Sequence, residues 1–131
     1  MSEQNSFIGN ISNKVIYDVS KERKRQVEVE GYTAEVDDRG EGGRLAAAAA
    51  CYSVHAAFSL FEGPGGTGLV GVPVWWPFDA GSWKPKTERE NLVRAAALII
   101  AEIEKMDRAS GVREAVSGVP ETGIDSEKNS P

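Results

Sequence analysis

At 131 residues the chain has the length of one domain, enough to bury a real core. Its net charge of −5 excludes general binding of long nucleic acid, which takes a basic surface, while leaving room for a local basic site. The single cysteine, Cys51, excludes an intramolecular disulfide and fits a reducing cytosol; no charged-then-apolar leader opens the sequence, so no secretory signal is expected.

Residues 1–13 form a polar arm whose only large apolar groups are Phe7, Ile8 and Ile11, and either a loose arm or a short strand suits them. A helical pattern begins at Lys14, with Val15, Ile16, Val19 and Val27 as its apolar positions and Gly31 as its end. Between them runs the basic stretch Lys21-Glu22-Arg23-Lys24-Arg25, followed by Glu28 and Glu30. These charges read either as a solvated face with intrahelical pairs or as cations turned to a phosphate-bearing ligand. Tyr32 to Gly43 reads as a loop rich in glycine and acid. Its Glu35, Asp37, Asp38 and Glu41 suit a hard cation such as Mg²⁺ or Ca²⁺ in chemistry, but their spacing is not that of an EF-hand. Asp37 or Asp38 can equally cap a turn or pair with the basic helix before it.

Arg44 to Phe61 is the second helix, secured by the alanine run Ala46–Ala50. Leu45, Ala49, Tyr52, Ala56, Ser59 and Leu60 fall near one face, with Phe58 and Phe61 at its end. That face is expected to meet the last helix along small residues. His55, the only histidine, reads as a half-buried packing residue, and Cys51 as a small core residue.

Glu62 to Ser82 is irregular, with six glycines and three prolines, and Trp75, Trp76 and Phe78 form an aromatic patch with Trp83 following. A loop of this length is usually functional or mobile. The tryptophans either plug the end of the helix pair or stack on a planar ligand, with Lys84, Lys86 and Arg89 nearby for its phosphates.

Thr87 and Glu90 form a capping box that opens a third helix, closed at Ser110-Gly111. Leu92, Ala96, Ile99, Ile103 and Met106 recur as one stripe, and Val93, Ala95, Ala97, Leu98, Ile100 and Ala101 widen it. A helix apolar nearly all round is expected to be the enclosed centre of the core. The uncharged stretch Ala95–Ala101 is far too short to span a membrane. Residues 111–131 read as a mobile tail, leaving residues 14–110 as a single helical domain.

The expected fold is therefore all-α. Three main helices form a compact bundle, the two long ones antiparallel with the Val15–Glu30 helix across them and the long Gly/Pro/Trp-rich loop joining the pair. The last helix has more apolar surface than two neighbours cover, which predicts a homo-oligomer, most simply a twofold dimer.

The run from Arg23, Arg25, Gln26, Glu28, Glu30, Gly31, Tyr32 and Thr33 to Glu35, Asp37 and Asp38, then Leu45 through the alanines to Cys51 and Tyr52, is half of a wider pattern. The other half is Trp76-Pro77-Phe78-Asp79, Trp83-Lys84-Pro85-Lys86, and Arg94 through Glu102, Glu104, Lys105, Asp107 and Arg108. Together, over about residues 20–109, they resemble a family of small, mostly uncharacterised proteins of tailed bacteriophages and prophages. The resemblance implies a phage setting in the host bacterial cytoplasm and carries no activity with it. A looser similarity is to all-α MazG-like nucleoside triphosphate pyrophosphohydrolases, which hold Mg²⁺ with Glu-x-x-Glu and Glu-x-x-Asp pairs. Glu104-Lys105-Met106-Asp107 supplies one Glu-x-x-Asp, while the alanine-rich helix has no Glu-x-x-Glu and only Arg44 as an early polar group. Other members of the phage family tend to carry histidines in the acidic loop and an acid at the next helix start, where this chain has Val36, Gly40 and Arg44.

Three functions compete on this reading. The first is a non-catalytic protein, without cofactor, that sequesters a nucleotide-type ligand such as a host immune signalling nucleotide. Its site would lie between Trp76–Lys86 and the Lys21–Arg25 face. Trp76 or Trp83 would stack on the base, Lys84, Lys86 and Arg89 would meet phosphates, and Arg25 would close the site. Glu35, Asp37 and Asp38 would accept from ribose hydroxyls or amino groups. The second is a Mg²⁺-dependent pyrophosphohydrolase, and the third an inhibitor of a host protein through the aromatic patch.

Overall fold

The computed structural model describes residues 12–64 and 69–111. Of the expected arm and tail, residues 1–11 and 112–131 lie outside the described residues, and Ser12 and Asn13 belong to the start of the first helix instead of the arm. Four helices follow in order: α1 (Asn13–Glu28), α2 (Ala34–Arg39), α3 (Arg44–Glu62) and α4 (Glu88–Ala109), with a 3-10 turn at Ala80–Ser82. No strand occurs among the described residues, so the fold is the all-α bundle of three main helices that the sequence predicts.

Helix α4 is the hub, packing against α3 most extensively and against α1 on another side. The α3–α4 pair is antiparallel. Glu102 near the end of α4 meets Gly43 and Ala46 at the start of α3, and Asn91 near the start of α4 meets His55 far along α3. Alanines line this contact: Ala48, Ala49, Ala56, Ala95 and Ala101 are buried with Leu45, Tyr52 and Leu98. Small side chains let the backbones approach, so a single leucine from α4 fills the space between them. Helix α3 is apolar and long enough to cross a membrane by composition alone, and its buried positions pack on α4 as those of a core helix do.

The helix starts use three devices. The Thr87–Glu90 capping box of α4 is present in full. Ser12 caps α1 and Thr33 caps α2 through their side chains. Gly43 precedes α3 at φ 95°, a conformation suited to glycine, and offers no side chain for a cap. The carboxylate of Glu102 takes that role, accepting from the Gly43 N–H (3.2 Å) and the Ala46 N–H (2.9 Å). A buried acid on α4 thereby satisfies two of α3's free donors and sits at its positive end.

Two expectations need correction. The acidic segment is not all loop, because Ala34–Arg39 forms a short helix. Six residues are too few to be helical on propensity alone. Thr33 holds one end, and the Lys105 ammonium of α4 holds the other by donating to the carbonyls of Asp37 and Gly40. The second correction concerns α4, whose Leu92, Ile99, Ile103 and Met106 are 44%, 46%, 51% and 61% exposed. The enclosed face instead carries Asn91, Ala95, Leu98, Ala101 and Glu102. Close packing with alanine-rich α3 selected the small residues and the polar groups with partners there, leaving the bulky stripe outside. On α3, Leu60 at the end of the expected contact face is likewise exposed, as are Phe58 and Phe61.

Candidate functional site

The aromatic residues after α3 fold back onto it. Trp76 is buried, with edge contacts to Tyr52 (5.5 Å between ring centroids), Phe78 (5.6 Å) and Trp83 (4.9 Å). Its indole N–H donates to the Asp79 carbonyl (3.0 Å) and the Ser82 hydroxyl (3.1 Å), so the 3-10 turn exists partly to satisfy it. Trp83 lies 4.7 Å from Tyr52 and 5.8 Å from His55. Phe78 continues the cluster to Tyr32, and the Arg44 guanidinium covers its ring while donating to the Pro77 carbonyl. The plug reading describes Trp76, Phe78 and Trp83, and Trp76 has no free face for a ligand base; Trp75 stays outside the plug, 78% exposed.

Beside the plug, α1 and the first turns of α4 enclose an open groove of about 520 Å³. Its walls carry five cations, Lys21, Arg25, Lys86, Arg89 and Arg94, against three acids, Asp18, Glu22 and Glu90, with Val93 as the apolar lining residue. The acids are already engaged. Asp18 takes Arg89 (2.9 Å) and Lys14 (3.0 Å), and these contacts hold its carboxyl below the ordinary value of 3.8. Glu22 accepts from Nε and Nη2 of Arg25, whose Nη1 reaches Glu30 at 2.9 Å. Those hydrogen bonds, that to Glu22 foremost, push the Arg25 pKa upward. Glu90 belongs to the capping box, and its hydrogen bonds with Thr87 lower its pKa. Lys86 has no side-chain ion pair among the described residues, and Lys21 has only the Tyr17 ring 5.2 Å away. Two ammonium groups thus line the groove without an ion pair among the described residues, Lys86 acting on Glu90 only at longer range.

The groove wall is fixed from behind. Buried Asn91 accepts the Lys86 N–H at 2.7 Å and donates to the Lys86 carbonyl at 3.2 Å, clamping that residue's backbone. Arg94 donates to the Lys84 carbonyl at 2.6 Å and to the Tyr52 hydroxyl, with its guanidinium over the Tyr52 ring. Glu22, Arg25 and Arg94 also line a small inner chamber of about 20 Å³ with Gln26, Tyr32, Tyr52 and Trp76. Gln26 donates to Glu22 and to the Arg94 carbonyl, while its buried side-chain oxygen has no partner. A single water-sized donor fits that space. Burial pushes the Tyr32 hydroxyl up to about 12, so it stays protonated at neutral pH.

The structure brings Arg25, Lys86 and Arg89 together with Lys21 of the expected basic face, and adds Arg94. It places the other expected ligand residues elsewhere. Lys84 is exposed, outside the groove's walls. Trp76 and Trp83 belong to the plug. Asp37 is buried against Arg23 (3.5 Å), with burial raising its pKa; Asp38 is bound by Arg108 at 2.9 Å. Both sit on α2 with exposed Glu35, among partners on α1 and α4 rather than in the groove. Glu104 lies 3.5 Å from Arg23, and Asp107 is exposed farther along α4. Arg94 and Gln26 were missed because each is a polar residue inside a helical repeat. The available signal was an asparagine, Asn91, beside the apolar stripe and five residues after Lys86. Compared with protein families, curated proteins and solved structures, the chain matches none.

Proposed function

We propose that the protein binds a phosphate-bearing small molecule of the nucleotide class in the α1–α4 groove and holds it without turning it over. The observation that supports this is the pair Lys21 and Lys86, two cations without an ion pair among the described residues, lining one groove of small-molecule size. Arg89 adds a third, half-exposed cation whose guanidinium has donors to spare beyond Asp18. Phosphate oxygens would replace water around these groups, and the positive end of α4 lies at the same place. The base would lie on Val93 and the aliphatic stems of the groove's long side chains rather than on a tryptophan face. The resemblance to phage proteins supports a setting in which such a ligand is a host signalling nucleotide withheld from its receptor.

Calorimetric titration with mono-, di- and cyclic nucleotides, alongside inorganic phosphate and pyrophosphate, tests the reading. Saturable binding is expected, weakening with salt because the phosphate contacts are partly screened. Lys21→Ala combined with Lys86→Ala should lower affinity by about tenfold or more, equivalent to about 1.4 kcal/mol. Ligand recovered from heated protein should be intact. Hydrolysed product would favour the pyrophosphohydrolase reading, and the absence of binding by every compound in a folded sample would remove the proposal.

A further inference from the structure

The exposed side of α4 has its own pattern. Leu92, Ala96, Ile99, Ile103 and Met106 are spaced four, three, four and three residues apart, the alternation of a helix–helix seam. Leu92 and Met106 stand about 21 Å apart on an α-helix, with Ile99 midway between them. No element of the described chain covers this seam, since α3 and α1 take other faces of α4. Charge brackets it. Arg89 lies before Leu92 and Asp107 after Met106; they are 18 residues apart (89 to 107), which is five turns, so they share one edge of the helix. Both are exposed; Arg89 holds Asp18 through Nη1 and keeps further donors, and the Asp107 carboxylate has no partner among the described residues.

We infer that this face is where a second copy of the chain docks, α4 against α4 and antiparallel, about a twofold axis near Ile99. Reversal about that axis sets Leu92 opposite Met106 of the other copy and Ile99 opposite itself, so the apolar seam matches its own reverse. It also carries Arg89 of each copy toward Asp107 of the other at both ends. A parallel pairing would put Arg89 beside Arg89 and Asp107 beside Asp107, with like charge at both ends. Opposed helix dipoles favour the same sense. The charges therefore choose the partner's direction, and the self-matching spacing chooses the partner.

Light scattering on the purified full chain at micromolar concentration reads the result directly. The expected mass is twice 14.1 kDa, falling to 14.1 kDa for Ile99→Asp with the helical circular dichroism unchanged. A monomeric parent overturns the proposal in favour of cover by the chain's own ends, and a dimer that survives Ile99→Asp places the interface on another face. Cysteine trapping in a Cys51→Ala background supplies a second measurement should Ile99→Asp fail to fold. Leu92→Cys and Met106→Cys proteins, mixed and oxidised, should cross-link to one another and not to themselves. Self-linking by Leu92→Cys alone would show a parallel pair and overturn the antiparallel arrangement.

Discussion

Two faces of α4 make the most instructive comparison. The inner face has Asn91, Ala95, Leu98, Ala101 and Glu102, and is buried. The outer face has Leu92, Ile99, Ile103 and Met106, is the more apolar of the two, and stands exposed in the single chain. Hydrophobicity by itself would bury them the other way round. What decides is fit: α3 presents alanines, and only a shallow face with one large residue can approach them closely. The polar residues on the inner face are there because each has work that only a buried position allows. Asn91 clamps Lys86, and Glu102 caps α3.

The largest effect expected from breaking this comparison is at its centre. Leu98→Ala empties the one large apolar position on the inner face and should cost about 2–5 kcal/mol in chemical denaturation. If it proves as mild as a surface change, α3 and α4 do not meet there. Ala49→Leu attacks the same contact by overfilling it, with an expected loss of about 1–3 kcal/mol. A parent-like melting curve would show that the helices are farther apart than described. Glu102→Ala leaves the Gly43 and Ala46 N–H groups without their acceptor, for a similar or smaller loss of about 1–2 kcal/mol. Hydrogen exchange should then quicken at the first turn of α3 before it does elsewhere.

Acid sharpens the contrast between paired surface carboxylates and buried ones. Asp18 and Asp38 titrate below 3.8 and Glu90 below 4.5 in the folded chain, chiefly through hydrogen bonds to Lys14, Arg108 and Thr87 respectively. Each contributes stability that is present above its ordinary value and lost as pH falls through its lowered one. Asp37 runs the other way, because burial raises its pKa above 3.8, so its contribution improves as pH falls through that raised value. With three groups against one, the melting temperature should fall as pH drops below about 4. Asp38→Asn should flatten that fall, and an unchanged slope would count against the Arg108 pair. The smallest change is expected on the outer face. Ile103→Ser should alter the stability of the isolated chain by about 0.5 kcal/mol or less, measured at concentrations where any dimer has dissociated.

What the sequence determined by itself was local. The capping box, the alanine run and the helical repeats set the three long helices, since each depends on residues within a turn or two of one another. The buried set on α3, Leu45, Ala49, Tyr52 and Ala56, was also readable, because an alanine run leaves Leu45 and Tyr52 as the only bulky apolar residues of the helix's first half. Tertiary structure alone decided which side of α4 to enclose, since the answer depends on the shape of α3 and not on the residues of α4. It also made α2 a helix, through Lys105 more than sixty residues away, and turned the acidic segment from a ligand candidate into an ion-paired brace. The groove shows both kinds of determination. Its cations could be named from the basic run and the start of α4, but α1 had to cross α4 before Lys21 and Lys86 faced the same space. Trp76 and Trp83 went inward for the same reason, while Trp75 stayed 78% exposed: a solvent-facing ring gains less than one packed on Tyr52, and only the returning chain brings that surface within reach.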